Sequence, residues 1–254
     1  MAPAWPKRWG SCCKPQQPVH PQNAWPAQAF FFSATKSIMD GKIDLTPNAR
    51  TRNPAMHTRY PAPELKDLPD DIKAKVLEVQ EKAGFVPNVF LALARRPAEW
   101  RAFFAYHDAL MLKEEGSNPK GSLTKGEREM IVTTTSAANK CLYCVVAHGA
   151  ILRIYEKKPL VADQVAVNYR KADITPRQRA MLDFAMKVCL QSEQIEDADF
   201  EALYAHGFDD EDAWDIAAIT AFFGLSNRMA SFSGMQPNPE FYLMGRVPKP
   251  AKPS

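Results

Sequence analysis

The stretch Glu129-MIVTTTSAANK-Cys141-Leu142-Tyr143-Cys144-VVA-His148 decides how this chain is read. On a helix, Cys141, Cys144 and His148 fall at i, i+3 and i+7 and form one stripe. Glu129 lies twelve positions before the first cysteine. Together they supply a dithiol, a base and an orienting acid, the parts of a redox site with its own proton relay. Two thiols in a CxxC on the first turns of a helix can meet as a disulfide. Asn139 either ends the preceding helix or caps the next. As a cap it places Cys141 near a helix N-terminus, where the peptide dipoles and Lys140 favour a thiolate. Cys144 lies one turn deeper, with His148 four residues on to take its proton and Glu129 to orient the imidazole. The dipole argument selects Cys141 as nucleophile; the histidine spacing selects Cys144.

Blander readings stand beside this one. Two cysteines and a histidine are one ligand short of a zinc site, and no second CxxC or HxxxH supplies the fourth. No metal and no cofactor is therefore expected. Without the spacing, Glu129 reads as a solvated helix charge. Tyr143 reads as core or pocket lining rather than as a proton donor. His107 reads as structural, and Cys189 as a small buried apolar residue.

Helical patterning extends outward in both directions. Pro69, Asp70 and Asp71 open a helix that Gly84 stops, with Ile72, Val76, Leu77 and Val79 near one face. VPNVFLALARR gives a second helix and PAEWRAFFAYHDALML a third. The aromatic residues of the third belong to the core, to a subunit interface or to the wall of an apolar pocket. Thr124 and Glu127 form a capping box that starts a helix running to about Ala138. Fifty-one positions on, Thr175 and Gln178 repeat it, with Pro176 at the first helical position. A helix near 197–206 ends at Gly207, and a long amphipathic one begins near Asp210. No strand pattern is convincing. The expected architecture is all-α, two related helical halves with the CxxC at the start of a central helix.

Composition sets the limits. A chain of 254 residues, 46% hydrophobic, can bury a sizeable core. No apolar run is long enough to span a bilayer. The net charge of +3 comes from the first 39 residues, which hold four bases and no acid. The remainder has 28 basic and 29 acidic residues, which gives no reason to expect nucleic-acid binding. Residues 1–63 carry 10 of the 21 prolines and read as a disordered or targeting-like extension, in which Cys12 and Cys13 have no assigned role. Residues 64–246 read as the helical domain and 247–254 as a Pro/Lys-rich tail. The proline-rich segment from 235 onward is expected to lie over the surface, within reach of a neighbouring subunit. Five cysteines in so long a chain do not suit a secreted disulfide scaffold, so a reducing compartment, cytoplasm or mitochondrial matrix, is expected.

The pattern Glu129-x11-Cys141-x2-Cys144-x3-His148 resembles the active-site signature of the alkylhydroperoxidase D and carboxymuconolactone decarboxylase superfamily, more narrowly its peroxidase-related branch. The T-x-x-E-R helix opening, GFDDEDAWDI at 207–216, Asn227-Arg228 and PNPEFYLMGR share in the likeness, which covers roughly residues 60–246. The resemblance implies an all-α homo-oligomer in which Cys144 attacks a small-molecule hydroperoxide and becomes a sulfenic acid. Cys141 then condenses with it to a disulfide, and an external dithiol of protein or lipoyl type reduces the pair. It gives Glu129 and His148 the proton relay. One departure bears on peroxidase efficiency and on the choice of reductant: the best-known branch has a second histidine where this chain has Tyr143. A decarboxylase-type lyase and a non-catalytic assembly subunit are the competing functions.

Overall fold

The computed structural model describes residues 58–112 and 123–246. Residues 1–57, which include Cys12 and Cys13 and most of the Pro-rich extension expected over 1–63, residues 113–122 and the tail 247–254 lie outside the described residues.

Those described are helical throughout: α1 (Asp70–Ala83), α2 (Asn88–Ala94), α3 (Pro97–Met111), α4 (Lys125–Ala138), α5 (Leu142–Glu156), α6 (Val161–Asn168), α7 (Pro176–Gln191), α8 (Asp197–Tyr204), α9 (Asp210–Ser233) and α10 (Pro239–Leu243). None of them is long and apolar enough to cross a membrane. The caps follow the sequence. Gly84, at φ 85°, closes α1. In the capping boxes of α4 and α7, Thr124 and Thr175 accept from the backbone N–H of Glu127 and Gln178. The first helix buries Ile72 and Val76, whereas Leu77 remains 43% exposed.

The two helices that open alike, α4 and α7, pack on each other, and both pack on α9. Arg177 of the second copy pairs with Glu127 of the first, and its guanidinium sits 3.8 Å over the Phe208 ring. The central helix is α4, surrounded by α5, α6, α7 and α9. Every residue from Gly126 to Ser136 is buried. A threonine run inside such a helix needs partners for its hydroxyls. Thr133 and Thr135 donate to the carbonyls of Glu129 and Ile131, each at 2.8 Å.

Within the closing segment, residues 235–246 lie over their own chain. Asn238 accepts from the Asn88 N–H at 2.8 Å and donates to the Val86 carbonyl at 2.9 Å. Buried Arg153 of α5 donates to the carbonyls of Met244 and Phe241, both at 2.9 Å. Gly245, at φ 73°, comes so close to Arg153 that a Cβ there would stand 2.8 Å from the arginine's own. These contacts tie α10 to α5 and to the start of α2. Replacing Asn238 by Ala leaves a backbone N–H and a carbonyl without their partner, which destabilises by about 2 kcal/mol. Denaturant unfolding of Asn238→Ala should show that loss as a lower midpoint with an unchanged slope.

Candidate active site

The link between α4 and α5 is one tight turn. The N–H of Lys140 bonds to the Ala137 carbonyl at 3.0 Å and that of Cys141 to the Ser136 carbonyl at 2.9 Å. This is the paired pattern that ends a helix with a left-handed residue. Lys140 holds that position at φ 56°, where glycine is usual. Asn139 thus ends α4, and the N-cap of α5 is Cys141 itself.

An N-cap side chain accepts hydrogen bonds from the first turn of its helix. Cys141 Sγ lies 3.0 Å from Cys144 Sγ, a thiol–thiol hydrogen bond, and accepts the Cys144 backbone N–H at 3.4 Å. The Cys144 thiol, its backbone N–H, Ser231 and the charge of His148 draw the Cys141 thiol down to about 6 against its burial. The donated bond, burial and the Cys141 charge push Cys144 up. The same contact thus pulls the two thiols in opposite directions, Cys141 down and Cys144 up. Both sulfurs are buried and free. They stand about 1 Å beyond disulfide bond length, so oxidation needs little movement.

Glu129 and His148 meet as the spacing anticipates. Nδ1 of the imidazole lies 2.7 Å from Glu129 Oε2. Both side chains are largely buried, and Phe223 closes the ring edge-on with centroids 4.7 Å apart. Glu129 is no solvated charge, because α4 is buried on every side. Among the described residues, however, the imidazole makes no hydrogen bond to either sulfur. Tyr143 is buried in the apolar cluster around the sulfurs. Its hydroxyl accepts the Val89 N–H of α2 at 3.2 Å, and burial pushes its pKa up, so it pins α5 to α2 rather than giving up a proton.

Sequence reasoning assigned no role to the polar side chains of α9. Ser226 Oγ lies 4.0 Å from Cys144 Sγ. Asn227 accepts from Asn139 Nδ2 and donates to Ser136 Oγ, each at 2.9 Å, clamping the α4–α5 turn to α9. The signal was a buried Ser-Asn pair in the middle of an apolar helix. Cys189 is half-buried, with Asn139 Nδ2 3.5 Å from its sulfur. Among the described residues, no group of three His, Cys, Asp or Glu is placed to hold a metal ion.

Residues 97–159 match the model of the carboxymuconolactone decarboxylase family. The chain is 77% identical to a solved protein of Ralstonia eutropha described as an alkylhydroperoxidase AhpD core and uncharacterized peroxidase-related protein; the match covers 76% of this chain and 98% of that one, with a TM-score of 0.73. The chain belongs to the alkylhydroperoxidase D-like, carboxymuconolactone decarboxylase superfamily, in its peroxidase-related branch. A second peroxidase-related protein, from a Silicibacter species, is 43% identical over 77% of this chain and all of its own, with a TM-score of 0.70. The debrominase Bmp8, at 20% identity and a TM-score of 0.59 over 75% of this chain and 96% of its own, shares the fold. No curated protein matches the chain.

In this alkylhydroperoxidase-like site the resting charge is measurable. One thiolate should appear in the ultraviolet absorbance of the reduced protein with a midpoint near pH 6 and vanish in Cys141→Ser. The folded value lies below the unfolded thiol's, about 8.5. The thiolate's contribution to stability is thus fully present above about 8.5 and lost as pH falls through 6.

Proposed function

We propose that this protein is a thiol-dependent peroxidase that reduces organic hydroperoxides with the Cys141–Cys144 pair. The observation carrying this reading is the contact of two buried sulfurs at a helix N-terminus beside a buried Glu129–His148 pair. The Cys144 proton passes along the S–H···S bond to Cys141, leaving a thiolate beside Ser226 and Asn227. That sulfur attacks the terminal peroxide oxygen and the O–O bond breaks. Cys144 becomes a sulfenic acid, and the alkoxide leaves as alcohol with a proton from His148. Glu129 orients the imidazole and balances its charge until that proton leaves; re-reduction of the disulfide restores it. Cys141 then attacks the sulfenic sulfur, the S–S bond forms, and the hydroxyl leaves as water with the Cys141 proton. An external dithiol of protein or lipoyl type returns two electrons and two protons. We extend the reading to a homo-oligomer in a reducing compartment.

A second assignment has its own support. The Cys141 thiol is the one drawn down, and the thiolate is the attacking species, which favours Cys141 as nucleophile and Cys144 as resolving thiol. One equivalent of tert-butyl hydroperoxide should remove two thiols from the reduced protein. If Cys144 attacks, Cys144→Ser abolishes the reaction and Cys141→Ser accumulates a sulfenic acid that dimedone traps. The reverse pattern assigns the attack to Cys141. Thiols untouched by hydroperoxide, with a lactone-acid decarboxylation that survives alkylation, would replace the peroxidase with a lyase.

Glu129→Gln keeps the size and a hydrogen-bonding group but removes the charge. General acid–base groups contribute about 10²–10⁴ in rate. We expect stopped-flow thiol oxidation to slow by about a hundredfold in Glu129→Gln, with the Cys141 thiolate still titrating.

A further inference from the structure

A thiolate out of contact with water needs hydrogen-bond donors, because an unanswered buried charge is costly. At Cys141 the N-cap position supplies the Cys144 N–H, and Ser231 stands beside the sulfur. Cys144 lies one turn deeper, and among the described residues no backbone N–H reaches its sulfur. Apart from Cys141, its polar neighbours come from α9. Ser226 Oγ is 4.0 Å from Cys144 Sγ, and the next residue is Asn227; both side chains are buried. The titratable groups around the pair belong to other helices. Glu129 of α4 is engaged with His148 of α5, and the Tyr143 hydroxyl of α5 with the Val89 N–H. The nearest charged residue of α9, Arg228, bears on Cys189 instead. Neutral donors are therefore what α9 brings to Cys144.

Asn227 fixes their aim. Its amide accepts from Asn139 and donates to Ser136, so this stretch of α9 is tied to the turn that carries the cysteines. Ser226 and Asn227 both draw the Cys144 thiol down, against the burial and the Cys141 contact that push it up. A serine hydroxyl rotates, and it can donate or accept. At 4.0 Å it touches the sulfur without a short bond, which leaves it room to close in when charge develops. We propose that Ser226, aimed by Asn227, is the donor that holds the Cys144 thiolate and so directs the attack on peroxide to Cys144. This rests on the peroxidase reading above and adds the residue that chooses between the two sulfurs. The Cys144 proton goes to Cys141, and Ser226 keeps its own, lending it only as a hydrogen bond. Once the sulfur has taken the terminal peroxide oxygen, the same hydroxyl turns and accepts from the S–OH group.

Cys144 has to titrate without its partner for this to be read, so the parent is the full chain carrying Cys141→Ser. Its thiolate absorbance, minus that of the Cys141→Ser, Cys144→Ser double variant, gives the Cys144 midpoint. Adding Ser226→Ala should raise that midpoint by about one pH unit or more, the worth of a hydrogen bond to a charged group. Stopped-flow oxidation by tert-butyl hydroperoxide should slow by about threefold at neutral pH. About tenfold less thiolate is present, and the greater nucleophilicity of the more basic sulfur offsets part of that loss. The deficit should close as pH approaches the raised midpoint. A role in packing alone would leave the midpoint in place and slow the reaction equally at every pH, and that result overturns the proposal. So does a raised midpoint with an unchanged rate, or an attack that the single-cysteine variants assign to Cys141. Should the midpoint rise while hydroperoxide oxidises neither chain, the peroxidase reading falls and Ser226 stands as the donor for a Cys144 thiolate.

Discussion

The α4–α5 turn is the constraint on which the site depends. It ends one helix and starts the next with no spare residue, so Cys141 is at once the last partner of α4 and the first of α5. Its sulfur must then sit where the opening N–H groups and dipoles of α5 point. A lysine in the left-handed conformation stores about 1 kcal/mol at that turn. The surroundings over-determine it: Asn139 and Ser136 are both bound to Asn227, and the helices on either side are buried. Strain held by a polar clamp beside a reactive thiol is the arrangement that keeps a site preorganised.

The same burial explains the carboxylate. A helix enclosed on all sides tolerates an ionised glutamate only when a partner answers it, since removing one member of a buried pair costs about 3–5 kcal/mol. His148 is that partner, brought alongside by α5 and fixed by Phe223. The pair is thus structural, and the relay role proposed for it cannot be separated from that by deleting either residue. They separate only by a substitution that keeps shape and hydrogen bonding while changing charge.

Local signals were the most legible part of the fold. Both Thr-x-x-Glu/Gln boxes, the proline starts and the glycine stops act through contacts three to five residues apart, and each lies where the sequence put it. The convergence of Glu129 with His148 was also readable, because its spacing carries it. What escaped was tertiary. No local pattern says that α4 is buried on every face, that Leu77 looks outward, or that the proline-rich end returns to cap α2 through Asn238. The helix Val161–Asn168 went unread because its eight residues carry no capping signal. Asn139 was ambiguous in sequence because its choice between two helices depends on the backbone bonds of Lys140 and Cys141.

The division of labour between the cysteines follows from depth in the helix. At the N-cap, Cys141 collects donors that lower its thiol pKa; one turn in, Cys144 is pushed the other way and meets α9 through Ser226. A thiolate so stabilised is easy to form but a weaker nucleophile, since nucleophilicity falls with pKa. In the proposed reaction the deeper sulfur, once deprotonated, would be the stronger nucleophile of the two. Low charge cost at one sulfur and high reactivity at the other are thus two consequences of a single hydrogen bond. Under the proposed peroxidase reading, a shared proton would let the pair act as one reagent: whichever sulfur met the peroxide, its neighbour, 3.0 Å away, would be in place to close the disulfide.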